Sequence, residues 1–239
     1  MLLALLLLLA VPARAGCRIA LDPGHSRAHP GATSARGIDE WDFNRALAVR
    51  VKAGLAAAGI DSVLLNPAGD DWTLAERPRA AARAGATLFV SLHHDDVDDR
   101  YKSDWLWQGR TLRHGERFSG FGVFVSARNP ALAESRRVAV AVADGLLAVC
   151  LRPSLHHAEA IPGENRPLLD PGHGLYRFDD LVVLKSAPMP ALLIEAGIIT
   201  NRDDEPVIAS DPYRALVADA IVAAARDHCR RVDEAGAMR

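Results

Sequence analysis

Lysine is nearly absent from this chain. Lys52, Lys102 and Lys185 are the only ones; every other basic residue is arginine, and 28 basic residues face 30 acidic ones for a formal net charge of −2. No bulk positive field exists of the kind that holds nucleic acid, which excludes nucleic acid as an expected partner. Cysteine is scarce too. Cys17, Cys150 and Cys229 stand far apart with no CxxC spacing, so nothing supports a cysteine-built zinc site. An odd count in an exported protein allows one disulfide and one spare thiol. Cys150 and Cys229 both end helix-like segments and could pair, although sequence alone does not decide it. Long hydrophobic runs are limited to Leu2–Val11, short of the roughly 20 residues that span a bilayer. No stable membrane span is expected. Repeats and low-complexity tracts are missing, as is any sign of a second domain.

That one apolar run has a different meaning. It leads into Pro12-Ala13-Arg14-Ala15, where Ala13-x-Ala15 is a small-x-small cleavage signal. Residues 1–15 therefore read as a secretory signal peptide, even though its first residues carry no Lys or Arg. An uncleaved anchor is the alternative. A lipoprotein cut before Cys17 is disfavoured by Arg14, which sits where an aliphatic residue would be needed. Residues 16–239 are then one domain, exported across the inner membrane to the periplasm. At 239 residues, 49% hydrophobic and 24% charged, the chain suits a single globular domain with an ordinary core.

Strands and helices alternate along it. Strand-like runs fall at Arg18–Asp22, Asp61–Leu65, Thr87–Leu92, Gly120–Ser126, Arg177–Leu184 and Ala191–Glu195. Helical periodicity covers Glu40–Ala58, where Phe43, Leu47, Val51 and Leu55 recur every fourth residue, with Gly59 as its C-terminal stop. Further helices are expected from Thr73, boxed by Glu76, to Ala84, over Pro130–Val149 and over Pro212–Arg231. Two stretches break the rhythm: polar Asp95–Ser119, with Trp105 and Trp107, and proline-rich Arg152–Leu175. The alternation predicts an α/β fold: a single domain with a mostly parallel twisted sheet and helices on both faces. Ligands then gather at the C-terminal ends of the strands.

Three apolar runs end in chemically able groups: IALDPGHS (19–26) in His25, LFVSLHHDD (88–96) in His93, and PALLIEAGIITN (190–201) in Glu195. Glu40 opens the first helix. Two imidazoles and a carboxylate, His25, Glu40 and His93, make the donor set of a hydrolytic zinc site with one position left for water. Glu195, flanked by Leu192, Leu193 and Ile194, is then the proton carrier, its carboxyl raised by apolar neighbours. Asp22 and Asn44, the latter one helical turn after Glu40, are candidates to orient the ligands. His94 points to the opposite strand face and could reach substrate or support the ligands from behind. The second DPGH, Asp170–His173, lacks a preceding apolar strand, so His173 reads as a loop residue. His156 and His157 have no partner spacing and read as surface residues. Trp105 and Trp107 suggest a substrate-stacking or lid role.

Taken together, DPGH at 22–25, Gly31-Ala32, Gly37, Glu40 with Asn44, Leu74 with Arg77, FVSLH at 89–93 and the PALLIEAGIITN block resemble the zinc-dependent type 3 N-acetylmuramoyl-L-alanine amidases. The resemblance covers about Arg18–Arg231. It implies zinc ligands at His25, Glu40 and His93, a catalytic Glu195, a single α/β domain, and hydrolysis of the amide between N-acetylmuramic acid and L-alanine in peptidoglycan. Two departures stand out: Ser26-Arg27 follows DPGH in place of two glycines, and His93 is followed by His94-Asp95-Asp96 in place of Ala-Asn. Asp95–Ser119 occupies the place of an insertion that in some members covers the site until an activator protein releases it, and Glu116 could cap the zinc there. Two other functions compete: a zinc peptidase acting on wall-derived or other peptides, and a non-catalytic wall-binding regulator.

Overall fold

The structure, a computed structural model, describes residues 16–238; the expected signal peptide at 1–15 lies outside the described residues. In chain order the elements are Arg18–Pro23 (β1), Glu40–Ala57 (α1), Asp61–Leu64 (β2), Glu76–Arg83 (α2), Leu88–Asp95 (β3), Ser103–Trp107 (β4), Arg110–His114 (β5), Gly122–Val125 (β6), Leu132–Ala148 (α3), Leu168–Asp170 (β7), Leu175–Arg177 (β8), Val182–Lys185 (α4), Ala191–Ile198 (β9), Glu205–Ile208 (α5) and Asp211–Ala237 (α6). Seven strands form one sheet in the order β2-β1-β3-β9-β6-β8-β7. The pairs β1–β2, β1–β3, β3–β9 and β6–β8 are parallel; β6–β9 and β7–β8 are antiparallel. The expected α/β class and mostly parallel sheet are what the chain forms.

Helices cover both faces because the central strands alternate between two apolar layers. Leu192 and Ile194 of β9 pack with Phe43, Leu47 and Val51 of α1 and with residues of α3 and α6. Ala191 and Leu193 face the other way, towards Ala81 of α2 and Val183 and Leu184 of α4. A strand buried on both sides reads as an unbroken apolar run, which is why FV and LLI were so legible. Truncating Leu192, fully buried, to alanine would cost about 2–5 kcal/mol. α3 and α6 approach so closely that a Cβ on Gly145 would lie 2.8 Å from the Ala220 Cβ. Helix α1 ends as expected, with Gly59 at φ 70°. Helix α2 starts later than Thr73, but the box forms: the Glu76 carboxylate accepts the Thr73 N–H at 2.6 Å.

Several expectations are corrected. Arg177–Leu184 is not a strand: β8 stops at Arg177, Asp179 turns to accept the Ala127 N–H at 2.7 Å, and the Leu-Val-Val-Leu run coils into α4, burying Val183 and Leu184. Asp95–Ser119 is no plain loop. It carries the β4–β5 hairpin, closed by Gln108 and Gly109 with φ of 49° and 77°, the left-handed pair that a two-residue hairpin turn requires. The 152–175 stretch contains β7.

The disulfide joins Cys17 to Cys229, not Cys150 to Cys229; Cys150 is a free, exposed thiol. α3 and α6 run antiparallel: Glu134 meets His228 at one end, and Cys150 shares a cavity with Tyr213 at the other. Tyr213 and Cys229 are about 24 Å apart along α6 at about 1.5 Å per residue, which puts Cys150 out of reach. Among the described residues, no helix is long and apolar enough to cross a membrane.

Candidate active site

The DPGH turn is built by its neighbours. Gly24 N–H donates to the Leu92 carbonyl at 2.9 Å, so the turn is tied to β3. Arg77 of α2 enters from the other face. Its guanidinium pairs with Asp22 at 2.8 Å and donates to the Pro23 carbonyl at 2.9 Å and to the carbonyl of His25. Ser91 donates to the second Asp22 oxygen at 2.9 Å. The pair is buried, and a buried carboxylate left without its cation would be costly. His25 itself holds a positive φ of 68°, a conformation that costs a non-glycine residue energy and is sustained by such surroundings.

Two glycines leave room for the side chains that meet there. A Cβ on Gly24 would lie 2.1 Å from His93 Nε2, and one on Gly31 2.3 Å from Glu40 Oε2. Glu40, the first residue of α1, sits between the two rings: Oε2 lies 3.0 Å from His25 Nε2 and Oε1 3.0 Å from His93 Nδ1. The remaining lone pairs accept the Ala32 N–H at 3.1 Å and the Asn44 amide at 3.0 Å. Burial alone would raise the Glu40 carboxyl, but the hydrogen bonds and charges of His25 and His93 hold it well below the usual carboxylate range.

Asp22 lies behind the His25–Glu40–His93 cluster through Arg77 and the DPGH turn, and Asn44 through Glu40. Asn44 also donates to the Gly24 carbonyl at 3.3 Å, and its carbonyl oxygen accepts from His94 Nδ1 at 2.8 Å. His94 does lie on the opposite strand face, packed against Phe43, so the suggestion that it reaches substrate is corrected. Burial lowers its pKa to about 3, and it stays a neutral support for Asn44.

Glu195 is the parallel register partner of His93, one strand spacing or about 4.8 Å away. β9 runs on to Ile198, so Glu195 lies inside the strand and not at its end. Its Oε2 is buried with no hydrogen-bond partner. Burial, then the charges of Asp95 and Glu40, push its carboxyl well above the ordinary range. A cavity of about 460 Å³, lined by His25, His93, Trp72, Leu74 and Arg77, opens on one side. A second, of about 210 Å³, opens on the other, lined by Glu195, His93, Phe178, Glu164 and Arg166. Both share His93, Leu181 and Leu193, so the groove runs across the cluster.

Other expected roles sort out differently. Glu116 pairs with Arg202 and lies 3.6 Å from His114, not at the cluster it was expected to cap. Trp105 donates to the Ala35 carbonyl at 2.8 Å, and Arg36 lies over Trp105 and Trp107, so the tryptophans fasten the hairpin to the 33–38 loop. His173 is a turn residue, held by Asp170 at 2.7 Å and Asp144 at 3.0 Å. His156 and His157 are not surface residues. His156 is buried and both meet Asp95, because the proline-rich segment folds inwards over β3. Burial alone would lower His157, but Asp95 and Glu164 beside it push it up to about 10. His157 and Glu164 are the groove-lining residues that pattern reading passed over.

A family model described as N-acetylmuramoyl-L-alanine amidase matches residues 19–227. The chain belongs to this family. Its relatives include the N-acetylmuramoyl-L-alanine amidase AmiA of Escherichia coli (strain K12), 26% identical over 212 residues, covering 85% of this chain and 73% of that one. The solved structure of the N-acetylmuramoyl-L-alanine amidase AmiC2 of Nostoc punctiforme superposes with a TM-score of 0.64 at 27% identity, covering 90% and 97% of the two chains. An N-acetylmuramoyl-L-alanine amidase from Clostridium difficile 630 shares the fold with a TM-score of 0.70 at 22% identity, covering 90% and 97%. The protein is an amidase, a hydrolase of peptidoglycan amide bonds.

In this amidase the His25, Glu40 and His93 donor atoms lie within 4.8 Å of one another. Two nitrogens, one carboxylate with every lone pair aimed, and glycines that clear the space make a fitting cradle for a divalent cation of the zinc type.

Proposed function

We propose that the amidase is zinc-dependent, with His25, Glu40 and His93 as ligands and Glu195 as the proton carrier that cuts the amide between N-acetylmuramic acid and L-alanine. The observation that carries this is the convergence of the three donors beside a carboxyl whose buried Oε2 has no partner. Bound zinc would polarise the amide carbonyl and make a water acidic enough to attack near neutral pH.

The chain's own residues do the rest. Glu195 takes a proton from the attacking water and hands it to the amide nitrogen as the C–N bond breaks, releasing the lactyl carboxylate and the free amine of L-alanine. Its raised carboxyl suits both duties, since it can hold the proton between the two transfers. Arg77 keeps the DPGH turn in place through Asp22 and two carbonyls, and Asn44, backed by His94, aims Glu40. Leu193 and Leu181 form the apolar floor on which the scissile bond would lie.

Export to the periplasm through residues 1–15 belongs to the same proposal. Peptidoglycan lies outside the cytoplasm, and the Cys17–Cys229 disulfide is of a kind that persists in oxidising compartments. An activator protein is proposed with it, as the partner that governs access to the groove.

Digestion of purified sacculi, with and without a chelator, tests the reading. Stem peptides beginning in L-alanine should appear and should disappear on chelation, returning with added zinc. Cleavage of soluble peptides alone would indicate the peptidase and overturns the proposal; zinc binding without release, persisting when extract of the producing cells is added as a source of activator, would indicate the regulator and overturns it too.

A further inference from the structure

A second group of donors lies beside Glu195, whose cavity His157 also lines. Asp95, His156 and His157 each offer one atom, all within 4.8 Å of one another. His157 Nε2 lies 2.9 Å from Asp95 Oδ2, and His156 Nε2 lies 3.3 Å from the same oxygen. His156 Nε2 is buried and makes no hydrogen bond there. That is an anomaly for an ordinary ion pair, since leaving a buried nitrogen without a partner is costly.

The outer atoms of all three residues are already held. His157 Nδ1 pairs with Glu164 Oε2 at 2.7 Å. His156 Nδ1 pairs with Ser154 Oγ at 2.9 Å. Asp95 Oδ1 accepts the Asp96 N–H at 2.8 Å. What remains is two Nε2 atoms and one Oδ2 turned towards one another. A carboxylate or hydroxyl behind each imidazole is the arrangement that fixes tautomer and ring orientation in metal-binding histidines. The two rings lie 3.9 Å apart, too close for both to be imidazolium without strong repulsion, but compatible with two neutral ligands. Asp95 and Glu164 together carry the charge that balances a divalent ion.

We propose that Asp95, His156 and His157 form a second divalent-cation site, of the zinc class, distinct from the His25–Glu40–His93 group. The ion takes the place of the proton between Asp95 and His157 and gives His156 Nε2 its missing partner. It fastens the 154–164 segment to β3 at a point two residues beyond His93, and so sets the groove wall that Glu164 lines with His93 and Glu195.

The experiment is equilibrium dialysis of the folded protein against Zn²⁺, followed by elemental analysis. About two equivalents per chain are expected in the unaltered protein, with about one in His157→Gln and about one in His93→Ala. About one equivalent in the unaltered protein, unchanged by His157→Gln and abolished by His93→Ala, overturns this site and leaves the first intact. Loss only in His157→Gln does the reverse. Because a buried variant can fail to fold, ¹⁵N spectra of the unaltered protein's imidazoles supply the second measurement. On zinc addition His157 Nε2 should lose its proton and shift as a ligand. If His157 stays protonated on both nitrogens at zinc saturation, the group is an imidazolium clamped between two carboxylates and the proposal is wrong.

Discussion

The His25–Glu40–His93 group and the Asp95–His156–His157 group use similar donors but are held in different ways. The first draws each residue from a separate rigid element: the turn after β1, the first position of α1, and β3. Its carboxylate sits in the middle, and glycines at 24 and 31 give it room. The second takes two neighbours from one turn of 3₁₀ helix and a carboxylate from β3, with no glycine clearing the space; its order comes from Ser154 and Glu164 behind the rings. A third pair serves as reference. His228 Nδ1 meets Glu134 at 2.7 Å, but its other nitrogen faces the Thr87 hydroxyl at 3.4 Å, and no third donor converges. A histidine and a carboxylate alone make an ion pair; two histidine nitrogens and a carboxylate oxygen converging within 4.8 Å make a candidate metal site.

Four outcomes would break or sharpen that contrast. Glu195→Gln should reduce release of L-alanine-led peptides from sacculi by roughly 10²–10⁴-fold while total bound metal is unchanged, since Glu195 belongs to neither donor group; falling metal content would merge the two. Gly24→Ala places a Cβ 2.1 Å from His93 Nε2 and must turn that ring out. Activity should drop on the order of 10²-fold, with metal lost from the first group alone. Ser154→Ala removes the support behind His156 and should weaken zinc at the second group by about 10–100-fold, read by competition with a chelating dye, leaving the first unaffected.

The smallest effect belongs to the reference pair. Glu134 is held down to about 2, first by its hydrogen bond with Arg137 and then by His228. Its folded value lies below its unfolded 4.5, so the stability it contributes is present above pH 4.5 and is lost as pH falls towards 2. Glu134→Gln should flatten the decline of the urea midpoint over that window, and zinc should not alter the result.

The same contrast explains what pattern reading could see. His25, His93 and Glu195 sit within or just after strands whose double-sided burial writes an apolar run into the sequence, and Glu40 opens a helix with clear four-residue spacing. Asp22 and Asn44 followed from those positions. The second group left no such trace: His157 meets Asp95 across 62 residues, from a proline-rich stretch without periodicity. The Leu-Val-Val-Leu run at 181–184 looked like a strand because β-propensity cannot report that two aspartates before it end the pairing. Cys150 looked like a partner for Cys229 because antiparallel helix order is a property of tertiary packing.

The Cys17–Cys229 bond has a mechanical meaning. It spans 212 positions and holds two Cα atoms 5.1 Å apart, at the foot of β1 and near the end of α6. Tension applied through the chain's two ends would run through this link and bypass the sheet. At about 3.6 Å per residue, some 760 Å of polymer would be withheld from extension. In a force-extension trace the oxidised molecule should withhold that length and keep its groove shielded from the pull, while the reduced one should release it.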